Sequence, residues 1–416
     1  MEIDMTCRSA VLAALLTPTL WVSAPALAWN TLDGQAPVII GHRGASGYLP
    51  EHTLEAYSLA ITQGANFIEP DLVMTKDGHL IARHEPMLDS TTDVASKFGS
   101  GRMSTRMLDG VPTTAYFADT FTLAEIKTLR AVQPRASRDQ SFNGLYQIPT
   151  LDEVITLAKA GNVGIYPELK HSTYTASQAV ANGFSATHFE DALVSKLHAA
   201  YGNTATAPVF IQSFETANLK YLNGQTSIRL VQLVDADDVN ADGSMSLVAP
   251  YAQPYDVVAA GGSMTFADMV TASGLAQIAS YADGVGPWKP YLLKTVADGV
   301  DRTGDGVLTI NDRRIDGSTG VIEAAHAAGL LVHTWTFRND ASQYGFAGGA
   351  AGGQAEMQYF FTLGVDGVFT DFPDTGVAAV AAVPEPGQMA LLAAGLGVVG
   401  AAALRRQRRE RAVEEV

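Results

Sequence analysis

Cysteine and basic residues are what this sequence has least of. Cys7 is the single cysteine among 416 residues, so neither an intramolecular disulfide nor a cysteine-rich zinc centre is available. Lysine and arginine number 27 against 43 aspartates and glutamates, a formal net charge of -16. That balance excludes general nucleic-acid binding, which needs a cationic surface to neutralise phosphates. Charged residues make up only 17% of the chain, yet 47% is apolar, too much for an intrinsically disordered protein. The two most apolar runs lie at its ends.

Residues 1–28 read as a secretory leader. Arg8 supplies the positive flank, Ala10 to Leu16 the short apolar run, and Ala26-Leu27-Ala28 the cleavage site, so the mature chain is expected to begin at Trp29. Cleavage by signal peptidase removes Cys7 with the leader. At the other end, Val383-Pro384-Glu385-Pro386-Gly387 is followed by an uncharged apolar run to Leu404 and by four arginines within 405–409. A run of about 18 residues is near the lower limit for spanning a bilayer, and the arginines would hold its end in the cytoplasm. This three-part order over 383–416 resembles the PEP-CTERM sorting signal of Gram-negative bacteria. The resemblance implies transient membrane anchoring by the C-terminal helix, exosortase-type processing, and an exported protein of the periplasm, outer surface or extracellular space.

Between the ends, short β-branched runs alternate with helical patterns. Strands are expected at 38–41, 67–73, 163–169, 209–213, 229–234, 284–288, 331–337 and 367–370. Thr53 is a helix N-cap candidate and Gly64 a stop signal. Thr122 with Glu125, and Thr150 with Glu153, have capping-box spacing. Eight strands alternating with helices point to an α/β fold, a TIM (β/α)8 barrel over residues 29–380. A doubly wound sheet is the runner-up, weakened because no GxGxxG follows the first strand. The stretch of about 86–145 shows no strong strand and is too long for a plain connection. It is read as a small subdomain inserted after the second strand, over the barrel mouth.

Chemistry-bearing residues gather where these strands end, the side on which barrels carry their sites. His42 and Arg43 close the first strand. Glu69 and Asp71 are two apart on the second, so both project to one face. Two inward carboxylates repel unless a proton, a cation or a metal intervenes, and a hard divalent ion bound through oxygen satisfies both. His84 and Glu85 follow, and the third strand brings Glu168 and Lys170 to one face. Arg43 and Lys170 can neutralise phosphate oxygens, and the histidines can exchange protons near neutrality.

The segments HRG…PEHT, ExD, HE…LD..T and PELK, in this order, resemble the glycerophosphodiester phosphodiesterase family, closest to its periplasmic type. QSFE at 212–215, DGVGPWK at 283–289, HTWTFRND at 333–340 and DGVFTDFPD at 366–374 agree with it. The resemblance implies a TIM barrel with an insertion after the second strand, and hydrolysis of glycerophosphodiesters such as glycerophosphocholine or glycerophosphoethanolamine to glycerol 3-phosphate and an alcohol. It implies His42 and His84 as the acid/base pair, and Glu69, Asp71 and Glu168 as metal ligands, with calcium the first choice and magnesium the second. It places Arg43 and Lys170 on the phosphate and Phe214 and Trp335 against the substrate. Two competing readings are a phospholipase-D-like enzyme acting on intact lipids and a non-catalytic exported surface protein.

A second calcium site is expected at 301–312. Asp301, Thr303, Asp305, Gly306 and Asp312 fall at positions 1, 3, 5, 6 and 12 of an EF-hand-type loop.

Overall fold

The structure, a computed structural model, describes residues 29–240 and 242–382. The leader and the sorting segment from 383 onward lie outside the described residues. Eight parallel strands carry the fold: Val38–His42, a second strand in two pieces (Phe67–Glu69 and Asp71–Met74), a third likewise (Gly164–Ile165 and Glu168–Leu169), Phe210–Ser213, Arg229–Val234, Gly284–Pro287, Leu331–Phe337 and Gly367–Thr370. The first strand pairs with the second through Ile40 opposite Phe67 and with the eighth through Val38 opposite Gly367. The second pairs with the third at both of its pieces, Phe67 with Gly164 and Asp71 with Glu168. The third meets the fourth at Ile165–Val209 and Glu168–Gln212. Every strand therefore has two parallel neighbours, and the sheet closes into a barrel.

Pro70 and Pro167 explain the breaks. A proline lacks the N–H that a central strand donates, but it keeps its carbonyl. Here the Pro70 carbonyl accepts from Glu168 N at 3.0 Å, and the Pro167 carbonyl accepts from Gln212 N at 2.9 Å. Pairing thus runs through both prolines, which lie next to the metal-type carboxylates.

Helices cover the outside. Leu54–Thr62 begins at Thr53, whose side chain accepts from Ala56 N, and Leu151–Ala160 begins with the Thr150–Glu153 capping box. The outer core lies between strands and helices, with Ile39, Leu72, Val154, Leu193 and Leu219 all fully buried. A second, smaller core fills the barrel interior below the site, built from Ile40, Tyr166, Phe210, Val231 and Phe369. His333 belongs to it, bonded through Nδ1 to the Tyr166 hydroxyl at 2.8 Å. It is a structural histidine.

Residues 86–145 contain more regular structure than their sequence suggests. Strands Ser104–Leu108 and Val111–Ala115 form an antiparallel hairpin. Asp109 and Gly110 at its tip both have positive φ, 48° and 80°, as the tightest hairpin turns require. The turn signal was in the sequence, but the strands are half exposed and so lack a strong apolar alternation. The rest of the segment packs Val94, Phe121, Ile126 and Leu129 into a small core shared with Val73 and Ile81.

Candidate active site

The site is assembled at the C-terminal ends of the first four strands, with Trp335 from the seventh and Asp371 directly after the eighth. His42 ends the first. Arg43 follows in a left-handed conformation, φ 59°, which turns its backbone N–H onto Glu69 Oε2 at 2.8 Å. The next residue, Gly44, cannot carry a side chain, because a Cβ there would lie 2.6 Å from the Ala56 carbonyl carbon. The loop therefore presses directly on the helix that starts at Leu54.

Glu69, Asp71 and Glu168 are all buried, and one carboxylate oxygen from each lies within 4.8 Å of the others. Burial, and then the neighbouring Asp71 charge, pushes the Glu69 carboxyl well above its ordinary range. Burial raises Glu168 to about 8 even though Lys170 Nζ stands 3.0 Å from it. Asp71 goes the other way: burial opposes ionisation, but the hydrogen bond from His52 and the cations around it hold the carboxyl well below its ordinary range. Three oxygens converge, and burial disfavours the charge of Glu69 and Glu168 unless a cation joins them. That donor set fits a hard divalent ion.

His42 and His84 both line one small cavity with Glu69, Glu168, Arg43, Lys170, Phe214 and Trp335. His42 Nδ1 meets Asp371 Oδ1 at 2.6 Å. Burial and the Arg43 charge lower its pKa to about 4. His84 Nδ1 stands 2.9 Å from Glu85, and its Nε2 is 3.3 Å from Lys170 Nζ. Burial, with Arg43 and Lys170, lowers its pKa too. Phe214 lies edge-on to Trp335 at 5.6 Å and under Lys170 Nζ at 5.4 Å. All nine residues expected at this site are brought together.

Residues 42–375 match the family model described as the glycerophosphoryl diester phosphodiesterase family. The chain belongs to this family. It is an enzyme, a glycerophosphodiester phosphodiesterase. It is 34% identical to such a phosphodiesterase of Arabidopsis thaliana over 82% of this chain and 85% of that one. It is 30% identical to the Haemophilus influenzae enzyme over 84% and 91%. In fold it resembles a Silicibacter pomeroyi structure described as a putative glycerophosphoryl diester phosphodiesterase, with a TM-score of 0.52 at 21% identity over 85% and 97% of the two chains. A phosphodiesterase of Oleispira antarctica in complex with sn-glycerol-3-phosphate has a TM-score of 0.50 at 19% identity, over 85% and 100%. Residues 382–409 match the PEP-CTERM protein-sorting motif, which implies export through the exosortase system of Gram-negative bacteria. No helix among the described residues is long and apolar enough to cross a membrane.

The phosphodiesterase site has a surrounding frame that sequence reasoning missed. His52, next to the helix cap Thr53, is fully buried. Its Nε2 holds Asp71 Oδ2 at 2.9 Å, and its Nδ1 meets the Tyr57 hydroxyl at 2.7 Å. Arg83, also fully buried, donates to the carbonyls of Glu51 and His52 and so fixes that loop. Asp371, behind His42, accepts from Arg338 at 2.9 Å and from Arg138 at 2.5 Å. Arg138 comes from the inserted segment. His171 lies between Glu85 at 2.9 Å and Asp109 at 2.7 Å, and despite burial the two acids raise its pKa to about 10. It is an imidazolium that ties the hairpin tip to His84's partner.

The 301–312 loop lies between the hairpin strands Leu293–Val296 and Arg314–Ser318. Its acids are engaged with the loop's own backbone. Asp301 Oδ2 accepts from Gly306 N, Asp305 Oδ1 from Val307 N, and Asp312 Oδ1 from Arg302 N and Thr303 N, each at 2.8 Å. Among the described residues, the single group of three or more acids and histidines with one ligand atom each within 4.8 Å of all the others is Glu69, Asp71 and Glu168.

Proposed function

We propose that this phosphodiesterase uses a divalent cation held by Glu69, Asp71 and Glu168, and proton exchange by His42 and His84, to convert glycerophosphodiesters to glycerol 3-phosphate and the free alcohol. Glycerophosphocholine and glycerophosphoethanolamine are the proposed substrates. The convergence of three buried carboxylates beside a cavity lined by both histidines carries the reading. The bound cation, calcium first and magnesium second, would neutralise charge on the phosphate oxygens.

The protein groups supply the rest. Arg43 and Lys170 bind the non-bridging oxygens and stabilise charge that grows on them. His84 takes the proton of the attacking hydroxyl: water gives glycerol 3-phosphate directly, and the glycerol 2-hydroxyl gives a cyclic phosphate that water then opens to glycerol 3-phosphate. A new P–O bond forms on that side while the bond to the headgroup oxygen breaks. His42 gives its proton to the departing alkoxide, and Asp371 is the counter-charge of the imidazolium that donates it. Burial and the nearby cations lower the pKa of both rings, and the Asp371 carboxylate beside His42 favours the proton that it donates. Choline release from glycerophosphocholine is expected to stop with EDTA and to return on adding calcium or magnesium. Release that is unaffected by EDTA contradicts the metal assignment. No release from any headgroup diester contradicts the substrate assignment.

We also propose calcium binding at the 301–312 loop, supported by the spacing of its acids. Calcium is expected to raise the thermal midpoint of the wild type by more than that of Asp305→Ala. Identical midpoints at every calcium level refute this.

A further inference from the structure

Two hydrogen-bond relays run from the inserted segment into the site, one toward each histidine of the acid/base pair.

The first ends on His42. Arg138 is buried and donates to Asp371 Oδ2 at 2.5 Å, while Asp371 Oδ1 meets His42 Nδ1 at 2.6 Å. Asp340 holds the same guanidinium, accepting from Nε at 3.1 Å and from Nη2 at 2.7 Å. Gln133 and Arg138 also donate to the Ser46 carbonyl, at 3.2 and 3.0 Å, and the Ser46 hydroxyl donates to the His42 carbonyl at 2.8 Å. The segment thus reaches His42 through its ring and through its backbone.

The second relay ends on His84. Asp109, at the hairpin tip, lies 2.7 Å from His171 Nδ1, and His171 Nε2 lies 2.9 Å from Glu85 Oε2. Ionised carboxylates only accept, so both ring nitrogens carry hydrogen and His171 is a cation between two anions. Glu85 turns its other oxygen to His84 Nδ1 at 2.9 Å. That contact places the His84 proton on Nδ1 and leaves Nε2 with its lone pair, 3.3 Å from Lys170 Nζ. The hairpin has other anchors. Arg106 pairs with Asp119 at 3.0 Å, and Leu108, Ala115, Phe117 and Tyr174 pack together. Asp109 is therefore free to serve His171 rather than to hold the hairpin down.

We infer that the inserted segment aligns the acid/base pair, with Arg138 the positioning residue for His42 and Asp109, through His171 and Glu85, the positioning residue for His84. The inference rests on the acid and base roles proposed above.

The test uses two leaving groups. Choline departs as an alkoxide that needs the His42 proton. p-Nitrophenolate is a stabilised anion and departs without one. Both diesters need His84 to take the proton of the attacking hydroxyl. In the whole enzyme, Arg138→Gln and Asp109→Asn are each expected to lower kcat on glycerophosphocholine by about tenfold through misalignment. On the p-nitrophenyl diester of glycerol 3-phosphate, Arg138→Gln should recover most of its loss, and Asp109→Asn should keep its loss. The same pattern exchanged between the two variants supports the positioning and exchanges the roles of the histidines. Equal losses on both substrates overturn the inference, because a segment that only stabilises the fold does not distinguish leaving groups. Absence of any loss overturns it too. Arg138→Lys, which keeps a cation for Asp371 and Asp340, is read in the same way if Arg138→Gln fails to fold. Turnover of neither diester by the wild type overturns the phosphodiesterase reading itself.

Discussion

His42→Ala is expected to lower kcat by about 10²–10⁴, the range of one general acid/base group, while leaving the protein folded. The local charges make this a clean experiment. Removing the ring takes away one partner of Asp371, but Arg138 and Arg338 still donate to its other oxygen at 2.5 and 2.9 Å. No buried carboxylate is left without a cation, so the large penalty of an orphaned charge does not arise. The loss should therefore appear in kcat, with the melting midpoint close to wild type. Wild-type turnover by the variant would remove His42 from the mechanism.

Asp71→Asn is expected to have an effect at least as large, but through metal affinity. Asp71 is the acid of the cluster whose charge is secured without a metal, since His52 donates to it and Arg43 Nε lies 3.3 Å away. Burial keeps Glu69 and Glu168 protonated more readily. Taking the charge from Asp71 leaves the cluster without its stable anion. Losing an outer partner of a metal ligand typically costs 10–100-fold in affinity. His52→Ala is therefore expected to shift the calcium or magnesium activation curve by about that much, and Asp71→Asn by more. Activation curves that superimpose on wild type for both variants would sink the assignment.

Much of this was legible in the chain because it is local. Glu69 and Asp71 share a face by the period of a strand, and so do Glu168 and Lys170. His42, His84 and the capping boxes announce themselves within a few residues. What was not legible depends on closure of the barrel. His52 reaches Asp71 across 19 positions, Arg83 reaches the 51–52 loop across about 30, and Arg138 reaches Asp371 across 233. Asp371 sits inside a segment that the family resemblance covers, yet nothing in its neighbours says that it faces His42. The hairpin at 104–115 was hidden because its strands bury little and so leave almost no alternation to read.

The pairing of His42 with Asp371 also sets a timetable. The metal-type carboxylates, both histidines and both phosphate cations are all present once residue 170 has been made. The partner that orients His42 arrives 329 positions after it, directly after the eighth and last strand of the chain, and Arg138 is there to hold it. A chain that is half synthesised, half translocated or truncated before its eighth strand can carry nearly the whole inventory of the site and still be unfinished as a catalyst. Competence is conferred by the final strand, which makes it a check on the completed molecule.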